Sequence, residues 1–95
     1  MRELTQSDLK RILHYDPETG IWTWLNPVSR NIKSGDIAGS EDGKGYRRIQ
    51  IWGSSYRTGR LAFLYMTGRW PRLIDHKDRH GGNDRWENLR EATSS

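Results

Sequence analysis

The stretch from Tyr46 to Gly68, YRRIQIWGSSYRTGRLAFLYMTG, carries two hydrophobic periods one after the other. Between Tyr46 and Trp52 the residues alternate, with Arg47, Ile49 and Ile51 on one face of a strand and Tyr46, Arg48, Gln50 and Trp52 on the other. Gly53-Ser54-Ser55 reads as the turn of a hairpin that returns as Tyr56-Arg57-Thr58. From Arg60 to Thr67, the cluster Leu61, Phe63, Leu64, Tyr65 and Met66 has helical character, with Gly68 as its C-cap and Pro71 beyond. The expected unit is a hairpin running directly into a helix.

Upstream, Leu4-Thr5-Gln6-Ser7-Asp8-Leu9 reads as a helix start, in which Thr5 caps, Asp8 sits near the positive helix end and Leu4 staples. Leu9, Ile12 and Leu13 form its apolar stripe, and the helix is expected to end near His14, itself a structural residue. Asp16-Pro17-Glu18-Thr19-Gly20 is a turn, because Pro fixes one dihedral and Gly supplies a positive one. Ile21 to Trp24 follows as a strand. The polar segment from Asn26 to Gly45 reads as a loop with one short strand around Asp36 to Gly39, anchored by Val28, Ile32, Ile37 and Ala38. No repeat or low-complexity tract interrupts the chain. The expected class is α+β, a small N-terminal helix and a three-stranded antiparallel sheet packed on a helix.

With 95 residues the chain holds one compact domain or two thin subdomains sharing a core, and a single active site is the most to expect. Hydrophobic residues are 33% of the total, so five Trp and four Tyr supply much of the buriable area. There is no cysteine, which excludes a disulfide or a thiolate zinc site. Any metal must bind His, Asp, Glu, Asn or backbone oxygen, a set that favours a hard divalent cation, Mg2+ or alternatively Mn2+, with no structural zinc. No apolar run approaches the ~20 residues of a membrane span and no signal-peptide stretch opens the chain, so an intracellular protein without a membrane partner is expected.

The net charge of +4 is unevenly placed. Up to Lys44 there are six Lys or Arg against seven acids, whereas from Gly45 onward there are ten against five. Gly43 to Ile74 contains Lys44, Arg47, Arg48, Arg57, Arg60, Arg69 and Arg72 and no acid at all. Such a run also describes a solvated basic face. Here Arg outnumbers Lys and is interleaved with Tyr46, Trp52, Tyr56 and Tyr65, a pattern suited to gripping phosphate and guanine edges. Nucleic acid is the expected partner.

Beyond the basic stretch, Ile74-Asp75-His76 is followed by Asp84-Arg85-Trp86-Glu87-Asn88-Leu89-Arg90-Glu91-Ala92-Thr93. In type and spacing these residues resemble the HNH endonucleases of phages and mobile introns. Asp16-Pro17-Glu18-Thr19-Gly20 with Trp22, Gly45-Tyr46, and Arg60-Leu61-Ala62 with Tyr65 resemble further landmarks of the same family. The upstream sheet and helix look like an AP2-type DNA-binding fold, with a sheet face in the major groove. The resemblance implies two parts: residues 1–72 binding DNA, and residues 73–95 as a ββα-metal motif lacking most of its final helix. In it a strand ends at the Asp-His pair, a loop and a second strand follow, and a helix closes a metal site.

It further implies His76 as general base, since imidazole is the side chain that titrates near neutrality. Asp75, aided by Asp78, would hold the divalent ion that stabilises charge on the scissile phosphate. Asn88 would brace the loop or orient the imidazole. His80 and Asp84 would support the site from behind, and Arg47, Arg48, Gln50, Trp52, Arg57, Arg60, Lys77, Arg79 and Arg85 would contact DNA. Trp86, Leu89 and Trp70 are expected to pack. Taken singly, an Asp-His pair also makes a surface turn and Asn88 also caps a helix. The combined spacing after a basic region separates the two readings.

Three departures from the family pattern stand out. The third motif residue, an Asn or His on the final helix, does not follow Thr93-Ser94-Ser95; a longer natural chain, a partner chain in a homodimer, or Asp75 and Asp78 with extra waters would complete the site. The usual Asp-Asn-Arg reads Asn83-Asp84-Arg85, and Gly59 stands where a His commonly precedes Arg60. The leading expectation is a metal-dependent endonuclease, acting as a nickase, on double-stranded DNA in the cytoplasm of a bacterium or phage-infected host. The alternatives are a non-catalytic DNA-binding module, with the face of Arg48, Gln50 and Trp52 reading a groove, and a protein-protein adaptor.

Overall fold

A computed structural model describes residues 3–27, 30–41, 43, 45–77 and 83–91. Its first helix, α1 (Gln6–Ile12), opens with the expected capping box: Thr5 Oγ1 accepts from the Asp8 backbone N–H, and the Asp8 carboxylate accepts from that of Thr5. Leu4 is buried beside it. The helix stops at Ile12, two residues before the expected end. Leu13 turns extended, and Leu13–Tyr15 becomes strand β1, which pairs antiparallel with β2 (Trp22–Trp24). Tertiary burial decides this. In the strand, Leu13 and Tyr15 both face the core opposite Trp24 and Trp22 while His14 points out, a two-residue period too short to stand out from the helical stripe.

The Asp16–Gly20 turn closes β1 onto β2, with Gly20 donating to the Asp16 carbonyl at 2.7 Å. Within the polar segment, β3 (Ile37–Ala38) lies where a short strand was expected and adds to β2. Val28 lies outside the described residues.

A second sheet follows in the order β4 (Ser40–Glu41), β5 (Arg47–Ile51), β6 (Ser54–Arg57). Ile49 and Ile51 of β5 are buried, whereas Gln50 on the opposite face is exposed, as the alternation predicts. The hairpin turn is Trp52-Gly53, where two consecutive positive φ angles, 52° and 81°, match the sense of the strand twist. Ser54 and Ser55 therefore belong to the strand rather than to the turn. Helix α2 (Thr58–Thr67) starts at Thr58, earlier than expected, and ends at Gly68 with φ of 83°, its N–H donating to the Leu64 carbonyl.

The C-terminal segment forms an antiparallel ribbon of β7 (Ile74–His76) and β8 (Leu89–Glu91), joined through a 3-10 turn at Trp86–Asn88. The class is α+β, and the described residues form two three-stranded sheets, the ribbon, α1 and α2. One apolar cluster unites them, including Leu9, Trp22, Ile51, Leu61 and Leu89. Its aromatic part is compact: Tyr65 meets Tyr15 and Trp22 edge-on, both at 5.7 Å, and Phe63 contacts Trp86 at 4.8 Å. Leu89, Trp86 and Trp70 pack as expected.

Candidate functional site

The ribbon sets up the site through strand alternation. Asp75 and His76 are consecutive on β7, so their side chains leave opposite faces. His76 turns inward and is 7% exposed. Its Nε2 lies 3.1 Å from Asp84 Oδ1. Asp84 is itself 2% exposed and accepts a second hydrogen bond, on Oδ2, from the Thr58 hydroxyl at the start of α2. A carboxylate only accepts, so the contact requires Nε2 to donate to Asp84, and in a neutral ring with that tautomer Nδ1 keeps its lone pair. The result is a hydroxyl–carboxylate–imidazole chain whose last nitrogen can accept a proton. Gly59 lies against this chain: a Cβ there would crowd Ile74 Cγ2 at 3.2 Å and meet His76 Cε1 at an ordinary contact of 3.5 Å.

Asp75 faces the other way. Its Oδ2 accepts from Arg90 Nε at 2.9 Å and Nη2 at 2.6 Å across the ribbon. Asn88 is buried, and it braces the loop at both ends: its Nδ2 donates to the Asn83 carbonyl and its own carbonyl accepts from the Lys77 N–H, each at 2.8 Å. Among the described residues no group of three His, Cys, Asp or Glu side chains converges. Asp78, Arg79, His80 and the lead-in to a final helix lie outside the described residues.

His76 also lines a groove of about 770 Å³. Arg47, Arg48, Arg57 and Arg60, expected as contacts on sequence grounds, line the same groove, and Arg72 joins them. Among the described residues one acid, Glu3, lies along it. Aromatic faces steady the guanidinium groups. Arg57 stacks 4.2 Å above the Tyr46 ring, which lies 5.9 Å from the His76 ring, and Arg60 sits 5.6 Å above Trp70, which is stacked on Tyr56. Arg47 is also held by a hydrogen bond to the Gly39 carbonyl. Gln50 and Trp52 are exposed farther along the hairpin, and Lys77 and Arg85 are exposed at the two ends of the site loop. None of these four lines the groove.

Thr58, Tyr46 and Arg72 were not among the residues assigned to the site from sequence. Tyr46 and Arg72 belong to the acid-free stretch, which was their only signal. Thr58 had none, since its role depends on where α2 begins. Asp84 was expected only as support, whereas it is the buried centre of the chain of hydrogen bonds.

Residues 56–95 match the family model described as HNH endonuclease. The match starts in β6 and takes in α2 and the ribbon. Comparison with curated proteins and with solved structures yields no match. No helix among the described residues is long and apolar enough to cross a membrane.

Proposed function

We propose that the chain is a DNA nuclease of the HNH type, in which the arginine-lined groove holds the sugar-phosphate backbone and His76 is the general base. The observation that carries this reading is the coincidence in one groove of five arginines and a histidine whose Nε2 is engaged by a buried carboxylate. Phosphates enter among Arg48, Arg57, Arg60 and Arg72, which supply the positive charge needed as negative charge builds on the phosphoryl oxygens. Nδ1 of His76 takes a proton from water, the water oxygen attacks phosphorus, the scissile P–O bond breaks, and the departing sugar oxygen takes a proton from solvent. Asp84 holds the ring in place and balances the charge the imidazole gains. Double-stranded DNA fits best, because the open face bearing Arg48 and Gln50 continues from the groove along the hairpin. One such groove cuts one strand at a time, which makes the activity a nickase.

The metal part of this reading rests on the sequence resemblance: Asp75 and Asp78 would hold Mg2+ or Mn2+ and the ion would supply positive charge to the leaving oxygen, while Asp75 itself leaves the ribbon on the face opposite His76, paired with Arg90. Asp75 Oδ1 offers one hard oxygen of the kind such ions take, and no step above passes through a metal. The test is conversion of supercoiled plasmid to open circles in the presence of Mg2+ or Mn2+. Wild type nicks, and His76→Ala loses at least about 100-fold in rate. Absence of nicking by wild type with any divalent ion overturns the nuclease. Salt-sensitive duplex binding without nicking identifies the second reading, a non-catalytic DNA-binding module.

A further inference from the structure

The Asp16–Gly20 turn lies outside the family-matched segment, and it touches three consecutive residues of the loop behind His76. The Tyr15 hydroxyl donates to the Asp84 backbone carbonyl, and the Trp86 N–H donates to the Pro17 carbonyl at 2.9 Å. Gly20 comes closest of all. A Cβ there would lie 2.6 Å from the carbonyl carbon of Asp84 and 2.7 Å from the nitrogen of Arg85, and its φ of +77° belongs to glycine in any case. The turn is stiff enough to act as a fixed surface, since Asp16 closes it with both its carbonyl and its carboxylate.

We propose that this turn is the brace of the reactive loop and that Tyr15 is a positioning residue for His76, acting through Asp84. The inference rests on the reading of His76 as base. Asp84 is held by Tyr15 at its backbone and holds His76 with its side chain, so a shift of its main chain changes the angle and distance at Nε2. Tyr15 is 1% exposed, and burial, with Asp84 and Asp16 nearby, pushes its phenol well above the ordinary range, which keeps it a donor. The nuclease centre of this chain thus includes a part supplied by its first twenty residues.

Tyr15→Phe deletes one oxygen and tests this in two ways. Plasmid nicking separates kcat from KM: the proposal requires kcat to fall about tenfold with KM for DNA unchanged, since only alignment is lost. Nitrogen-15 NMR of the imidazole reads the second arm without any activity: the His76 Nε2–H signal, protected in wild type, shifts and exchanges faster in the variant. Ile12→Val, a small truncation at a buried core residue, is the control for lost stability. Unchanged kcat and an unchanged Nε2–H signal in Tyr15→Phe overturn the brace, as does an equal fall in kcat for Ile12→Val at matched melting temperature. If wild type does not nick, the nuclease reading fails, and the imidazole signal still decides the brace. Gly20→Ala leaves Tyr15 intact but presses a Cβ on the Asp84 main chain, so in the folded variant the same Nε2–H signal must shift.

Discussion

Arg48 of β5 and Arg57 of β6 are direct cross-strand partners, so two guanidinium side chains leave neighbouring positions on one face of the sheet. Like charges placed opposite each other cost a few tenths of a kcal/mol in a free sheet, and an anion between them removes that cost. Arg48→Gln is expected to leave stability unchanged or raise it by up to about 0.5 kcal/mol, yet to reduce the slope of log K against log salt for duplex binding by about 1. Urea melts and fluorescence anisotropy at several salt concentrations check both halves.

The Asp75–Arg90 pair sits in the open, the two side chains being 43% and 62% exposed. Such pairs contribute about 0–1 kcal/mol. Arg90→Ala should accordingly leave the denaturation midpoint nearly unchanged. Nicking should reach half its maximum at a lower Mg2+ concentration, because a cation no longer competes with the guanidinium for Oδ2. A rise in the Mg2+ requirement would contradict the assignment of Asp75.

Thr58 donates to a carboxylate that is almost wholly out of water. Thr58→Val keeps the shape and removes the donor, with an expected loss of about 1.5–3 kcal/mol in chemical denaturation. Nicking by the folded variant should slow in kcat, as Asp84 then holds His76 with less restraint of its own. Thr58→Ser, which restores the hydroxyl, should recover most of the rate.

Tyr15 gives the fold an alkaline limit. Burial first, then the Asp84 and Asp16 charges, raise its phenol above the ordinary value of about 10. The folded state therefore favours the neutral form. Its contribution is complete below pH ~10 and is lost as pH rises from there through the folded value, because only the unfolded chain ionises in that window. Urea midpoints measured from pH 8 to pH 11 should fall more steeply for wild type than for Tyr15→Phe. Equal slopes would show that the phenol is not held neutral by the fold.

Much of the fold was legible because its signals are local. The capping box at Thr5 and Asp8, the Asp16–Gly20 turn, the alternation of Arg47 to Ile51 and the glycine cap at Gly68 are each set by residues within a few positions of one another. Errors fell at junctions. Leu13–Tyr15 continues a helical stripe in sequence, and only the buried face offered by Trp22 and Trp24 makes it a strand. The sequence places Thr58 in a strand, since nothing nearby marks it as the residue whose hydroxyl meets a carboxylate 26 positions away.

The sequence by itself determined the α+β class and the acid-free basic stretch, which rest on composition and period, while the family resemblance singled out the Asp75–His76 pair with its downstream Asn88. Tertiary structure alone decided that Asp75 and His76 face apart, that Asp84 is the buried partner of the imidazole, that the arginines share a groove with His76, and that the Asp16–Gly20 turn presses on the loop behind it. The physical reason is range. Dihedral preferences and hydrophobic periods act over a few residues, whereas a hydrogen bond between a carboxylate and an imidazole exists only once packing has brought distant strands together and excluded water.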